Sequence, residues 1–188
     1  MSLATISIMV AAQLGVAGAP TLSPSIQCTA LGGHYRLIQL LGSTTYLSAQ
    51  VHVKQREPGL KAVGEWSPAA GLLFILPRKQ HTAGVQVYIE SSNPEVLKIL
   101  IRKPDGATTD FAEAPAGNTV PVSVRAENGV LTVSAGTIHQ TIKLDATTIK
   151  GAALMCSSGT FEFALDPGLR VDPSTLEDSF DPWEKETK

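Results

Sequence analysis

Apolar and polar residues alternate with a period of two along most of this chain, and clusters of turn-forming residues separate the alternating runs. Residues 46–53 put Leu47, Ala49, Val51 and Val53 on one face and Tyr46, Ser48, Gln50 and His52 on the other. Residues 85–90 alternate in the same way, with Gln86, Tyr88 and Glu90 opposite the apolar side. Leu97, Ile99 and Ile101 alternate with Lys98, Leu100 and Arg102. Residues 121–127 set Val122, Val124 and Ala126 against Ser123, Arg125 and Glu127. Asn128-Gly129 then predicts a tight hairpin turn, because both residue types tolerate positive φ. Strands over 130–135, 138–144 and 152–165 complete the series. Residues 72–76 differ: their continuous apolar run predicts a central strand covered on both sides.

No window of useful length repeats apolar residues at helical spacing without a breaker. The 16 glycines and 12 prolines fall at strand spacing instead. Many short antiparallel strands in 188 residues predict one all-β domain, a sandwich or jelly roll.

Charged residues are only 17% of the chain, so the surface leans on Ser, Thr, Asn and Gln, as suits an extracellular β protein. The net charge of -2, with no basic block, excludes electrostatic capture of nucleic acid or of an anionic membrane. No charge precedes Arg36, and the apolar run over 3–16 is followed by small residues. This predicts a secretion signal over 1–19, cleaved after Ala17; the alternative is an ordinary N-terminal strand and loop. A β domain over 20–170 and an acidic tail over 171–188 follow, the tail loosely held, with Phe180 and Trp183 as its docking anchors. In a secreted protein Cys28 and Cys156 would form one disulfide; two buried free thiols are the alternative. The two cysteines and four histidines have no metal-ligand spacing, and nothing calls for a cofactor. No Gly-rich loop leads into a helix, and Ser157-Ser158-Gly159 lacks the Gly-x-Ser-x-Gly turn of a serine hydrolase.

Four features, in order from Tyr35 to Leu165, resemble the alginate lyase family seven group of polysaccharide lyases. Gln86-Val87-Tyr88 is similar to that family's Gln-x-His strand, and Val96-Leu97-Lys98 with Asp105-Gly106 to its next strand and turn. The hairpin at Asn128-Gly129 and the final strand around Gly159 follow in the same order. The resemblance implies a concanavalin-like β-jelly-roll sandwich of two curved antiparallel sheets, with a concave cleft. It also implies β-elimination on an acidic (uronate) glycan. A polar group neutralises the carboxylate, and a Tyr or His moves the proton.

Transferred by position, Gln86 and Arg36 would hold the carboxylate and Tyr88 would act as acid and base. The family's catalytic Tyr becomes Phe161, and its last Gln becomes Phe163. Glu90, Lys98, Arg102 and His34 are further substrate-binding candidates, with Tyr35 beside His34 in the opening strand. Each has a plainer reading: Tyr88 as cross-strand packing, Gln86, Glu90, Lys98 and Arg102 as a wet outer face, Arg36 as partner of a protein carboxylate. Phe161 and Phe163 line the cleft in the family register but enter the core by plain alternation. Three functions follow: a secreted lyase, a cyclase or isomerase for a hydrophobic small molecule, or a carbohydrate-binding protein without chemistry. The partner is then an acidic oligosaccharide or a hydrophobic small molecule, with no nucleic acid and no membrane once the signal is removed.

Overall fold

The structure, a computed structural model, describes residues 25–42, 45–56, 68–77, 82–90, 92–144 and 149–175. Ten strands carry it: β1 (Ser25–Leu40), β2 (Tyr46–Arg56), β3 (Ala69–Ile75), β4 (Thr82–Ile89), β5 (Val96–Arg102), β6 (Thr108–Pro115), β7 (Val120–Glu127), β8 (Val130–Ala135), β9 (Ile138–Lys143) and β10 (Gly151–Leu165). The order β6-β5-β4-β3-β10-β2-β7-β8-β9, with β1 along β10, is antiparallel throughout. This is the concanavalin-like jelly roll of two antiparallel sheets that the resemblance implies.

The two layers share β1 and β10. Residues 151–157 of β10 pair with β3, and residues 159–165 pair with β2. β1 follows β10 through both layers, and its register shifts between Ala30 and Tyr35. The corner is built from backbone: Ser158 has φ 47, Gly33 has φ 74, and the Gly33 amide donates to Ser158 Oγ at 3.1 Å. Strands that switch sheets at an irregularity are how β-sandwiches turn corners. We call the layer of β3–β6 the front sheet and the layer of β2 and β7–β9 the back sheet.

The alternation read from the sequence sends one side of every long strand between the layers. Leu72, Phe74, Val85, Val87, Ile99 and Leu154 of the front sheet are fully buried or nearly so. They form one core cluster with Leu47, Val51, Val124, Leu131 and Val133 of the back sheet. Each large side chain buried here contributes about 1.5–3 kcal/mol. The hairpin turn is as the sequence predicts, with Asn128 at φ 50 and Gly129 at φ 72.

Cys28 and Cys156 are bonded to each other and wholly buried. Cys28 sits opposite Phe161 in the back sheet and Cys156 opposite Ala70 in the front sheet, so the bond ties the layers together inside the core. Beyond β10 the chain returns along the exposed edge of β1. Leu41 N donates to Arg170 O, Asp172 N to Gln39 O, and Gln39 N to Thr175 Oγ1. Covering an edge in this way removes a template for unwanted strand pairing. The first residues of the expected tail are therefore held. The expected signal, residues 176–188, Trp66 and His81 lie outside the described residues. Among the described residues no helix is long and apolar enough to cross a membrane.

Candidate functional site

Strand pairing fixes what the front sheet presents on its outward side. One rung runs Tyr35, Ser157, Ala69, Tyr88, Lys98, Glu113 across the strands. The next runs Leu37, Met155, Gly71, Gln86, Leu100, Asp110, and the third Gln39, Ala153, Leu73, Gly84, Arg102, Thr108. Neighbouring strands lie about 4.8 Å apart, so Tyr88 and Lys98 are adjacent while Tyr35 stands three strands away.

The middle of this outward face is shielded from water. Leu73 is 3% exposed, Met155 5% and Gln86 8%, and Leu73, Met155 and Ala69 form a second apolar cluster with Leu37 and Tyr88 packed on it. The outward face of the back sheet is wetter: Tyr46 and Gln50 are exposed, and Ser48, His52 and Ser123 half-buried. The continuous apolar run of β3 has this cause, because its odd residues floor the outward face while Leu72 and Phe74 fill the core. Leu37, Ala69 and Met155, missed as functional candidates, carry no chemical signal in the sequence beyond hydrophobicity.

Gln86 and Tyr88 are brought together, two residues apart on one face of β4. The Gln86 side chain lies over Gly71, where an added Cβ would meet Gln86 Cγ at 3.2 Å and the Val85 carbonyl oxygen at 2.8 Å. Lys98 is ion-paired to Glu90 at 3.0 Å. The Glu90 hydrogen bond, with added attraction from Asp110 and Glu113, holds the ammonium above its ordinary pKa. A hollow of about 220 Å³ lies beside it, lined by Lys98, Asp110, Phe111, Ala112 and Glu113, where the β5–β6 register slips. Arg102 has a different environment. Its Nε donates to Thr82 Oγ1 at 2.9 Å, and burial lowers its pKa, with Tyr35 acting in the opposite direction.

Four sequence-derived candidates stand elsewhere. Arg36 shares the inward side of β1 with Ile38 and Leu40, opposite Cys156, so it does not join Gln86 and Tyr88. Its Nε is buried without a hydrogen-bond partner. Phe161 and Phe163 are wholly buried in the core, because plain alternation wins over the family register and that one-residue difference reverses every side chain. His34 is exposed in the irregular stretch between the two halves of β1. Among the described residues no group of three or more His, Cys, Asp or Glu is arranged to hold a metal ion.

No protein-family model matches the sequence, and no curated protein matches it. Solved structures do. The carbohydrate-binding module CBM66 from Bacillus subtilis superposes with a TM-score of 0.50 and 14% identity, over 73% of this chain and 81% of that one. CG-16, a homodimeric agglutinin from chicken liver, gives 0.45 and 4% identity over 74% and 100% of the two chains. Alginate lyase from Alteromonas sp. 272 gives 0.38 and 14% identity over 72% and 54%. At 14% identity the likeness to CBM66 establishes the shared fold and nothing finer. No family model or curated relative supports the lyase assignment that the resemblance implies.

Proposed function

We propose that the outward face of the front sheet is a carbohydrate-binding surface and that the protein is an extracytoplasmic glycan-recognition domain. The observation that carries this reading is Gln86. Its side chain, 8% exposed, lies over Gly71 on the same face as Tyr88 and the apolar cluster of Ala69, Leu73 and Met155. Sugar hydroxyls, as both donors and acceptors, match the donor and acceptor of its amide. The C–H face of a sugar ring would rest on Tyr88, which is half-buried and packed against the apolar cluster. The fold-level analogy to a carbohydrate-binding module points to the same ligand class. The disulfide supports an oxidising compartment.

Recognition is favoured over cleavage because elimination on a uronate needs a neutralising group, a base and an acid around one ring. Arg36 faces inward, and Phe161 and Phe163 are buried and carry no exchangeable proton. A second reading keeps the elimination, with Tyr88 as the proton carrier and Gln86 on the carboxylate; their position on one face of β4 favours it.

Calorimetric titration with a panel of neutral and acidic oligosaccharides tests the proposal. Tyr88→Ala is expected to weaken binding about tenfold or more. Tyr46→Ala, on the outward face of the back sheet, is expected to leave it unchanged. No binding to any glycan, or equal losses in the two variants, would overturn the reading. A rise in ultraviolet absorbance from an unsaturated product on a uronate polymer, lost in Tyr88→Phe, would replace it with the second.

A further inference from the structure

The two cations that β5 offers to the front face are electrostatically unlike. Lys98 is already satisfied: Glu90 pairs with it, and Asp110 and Glu113 lie near enough to act on it. That end of the face has more carboxylates than ammonium groups and disfavours an anion. Arg102 lies four residues along the same strand, about 13 Å away. Among the described residues it has no carboxylate partner. It is half-buried, and its neighbour across the β4–β5 pair is Gly84, which sets no side chain beside it. A half-buried guanidinium without a counter-charge is costly unless an anion joins it.

The way Arg102 is held selects which donors remain. Nε is engaged by Thr82 Oγ1, so the side-on pair of Nε with one Nη is closed. The end-on pair, one N–H from each Nη, is left, and this fork matches two oxygens of one carboxylate or sulfate. Thr82 thereby aims the guanidinium as well as satisfying it. We infer that Arg102 is the anion-recognition residue of the front face, so that the glycan it takes is acidic, with its charged substituent at the Arg102 end and uncharged hydroxyls toward Lys98 and Glu90. This rests on the carbohydrate-binding reading above and adds a ligand class and a direction to it.

The test compares three chains of one backbone by calorimetry: a uronate oligosaccharide, its carboxyl-reduced counterpart, and a sulfated neutral oligosaccharide. Wild type is expected to prefer a charged chain over the reduced one by about tenfold or more. Whether the carboxylated or the sulfated chain leads identifies the anion. Arg102→Gln and Arg102→Met are each expected to erase the preference while affinity for the reduced chain stays within about threefold. The Met variant keeps an apolar stem over the floor. A preference that survives both substitutions, or equal wild-type affinity for charged and reduced chains, overturns the inference and leaves carbohydrate binding standing. Failure of both variants to fold also overturns it, by making Arg102 a structural residue. Failure of wild type to bind any of the three defeats the carbohydrate reading itself.

Discussion

Removing the bond between Cys28 and Cys156 is expected to cost the protein a large part of its stability. The two residues are 128 apart in sequence, so the bond closes a loop spanning most of the β domain. In the chain-entropy description, a loop of that length restricts the unfolded ensemble by about 5 kcal/mol. Whole domains are stable by about 5–15 kcal/mol, so the loss approaches the total in the weaker cases. The location adds to this, since both residues are wholly buried and the bond joins the two layers beside Phe161 and Ala70. Cys28→Ala/Cys156→Ala is the better perturbation, because serine would bury hydroxyls without partners. Urea denaturation of wild type and the double variant should show the midpoint falling by several kcal/mol of equivalent stability. Dithiothreitol should reduce the native protein far more slowly than the unfolded one, because both sulfurs are inaccessible until the layers separate. A loss below about 1 kcal/mol, against the loop-length expectation, would refute the reasoning. Native-state reduction as fast as in denaturant would refute the burial argument.

Phe161→Ala and Phe163→Ala are each expected to destabilise by about 3–5 kcal/mol without changing the glycan affinity of the folded fraction. Denaturation and titration read the two effects, and an affinity loss with unchanged stability would return both residues to a binding wall. Gly84→Ala should cost about 1–3 kcal/mol or more, because its Cβ would fall onto the Leu72 carbonyl. Gly117→Ala, which meets nothing within 4 Å, should stay within about 0.5 kcal/mol; equal thermal shifts would contradict the close strand approach. Glu162 is held below its ordinary carboxylate range by Lys54, then by the Ser25 hydroxyl. Its contribution is therefore full above the unfolded glutamate pKa of about 4.3 and fades as pH falls through its lowered folded value. The gap between wild type and Glu162→Gln in denaturation should shrink on going from neutral to acid pH, and a pH-independent gap would contradict the pairing.

Local periodicity made most of the architecture readable. Strands β2, β4, β5, β7, β8, β9 and β10 follow from residues that must bury one face, and β3 from an apolar run that serves the core on one side and the shielded outward face on the other. Asn128-Gly129 specified its own turn because the required φ is local to two residues. The first half of β1 and all of β6 were not legible. Both lie at sheet edges: β6 forms a strand from polar and small residues such as Thr108, Thr109 and Asp110, and the first half of β1 turns only Ile26, Cys28 and Ala30 toward the core, a stripe too short and too small to stand out. The same logic separates the site residues. Gln86 and Tyr88 share a face because they are two apart on one strand, which a sequence states directly. Phe161 and Phe163 follow the alternation of their own strand into the core, whereas the place of Arg36 depended on how β1 pairs with the distant β10, which shifts register at the corner of Gly33 and Ser158. That Cys28 meets Cys156, and that Lys98 gains a carboxylate partner while Arg102 gains a hydroxyl, are facts of which strands end up adjacent. Sequence determines which side of a strand a residue occupies; only the folded sheet decides what stands across from it.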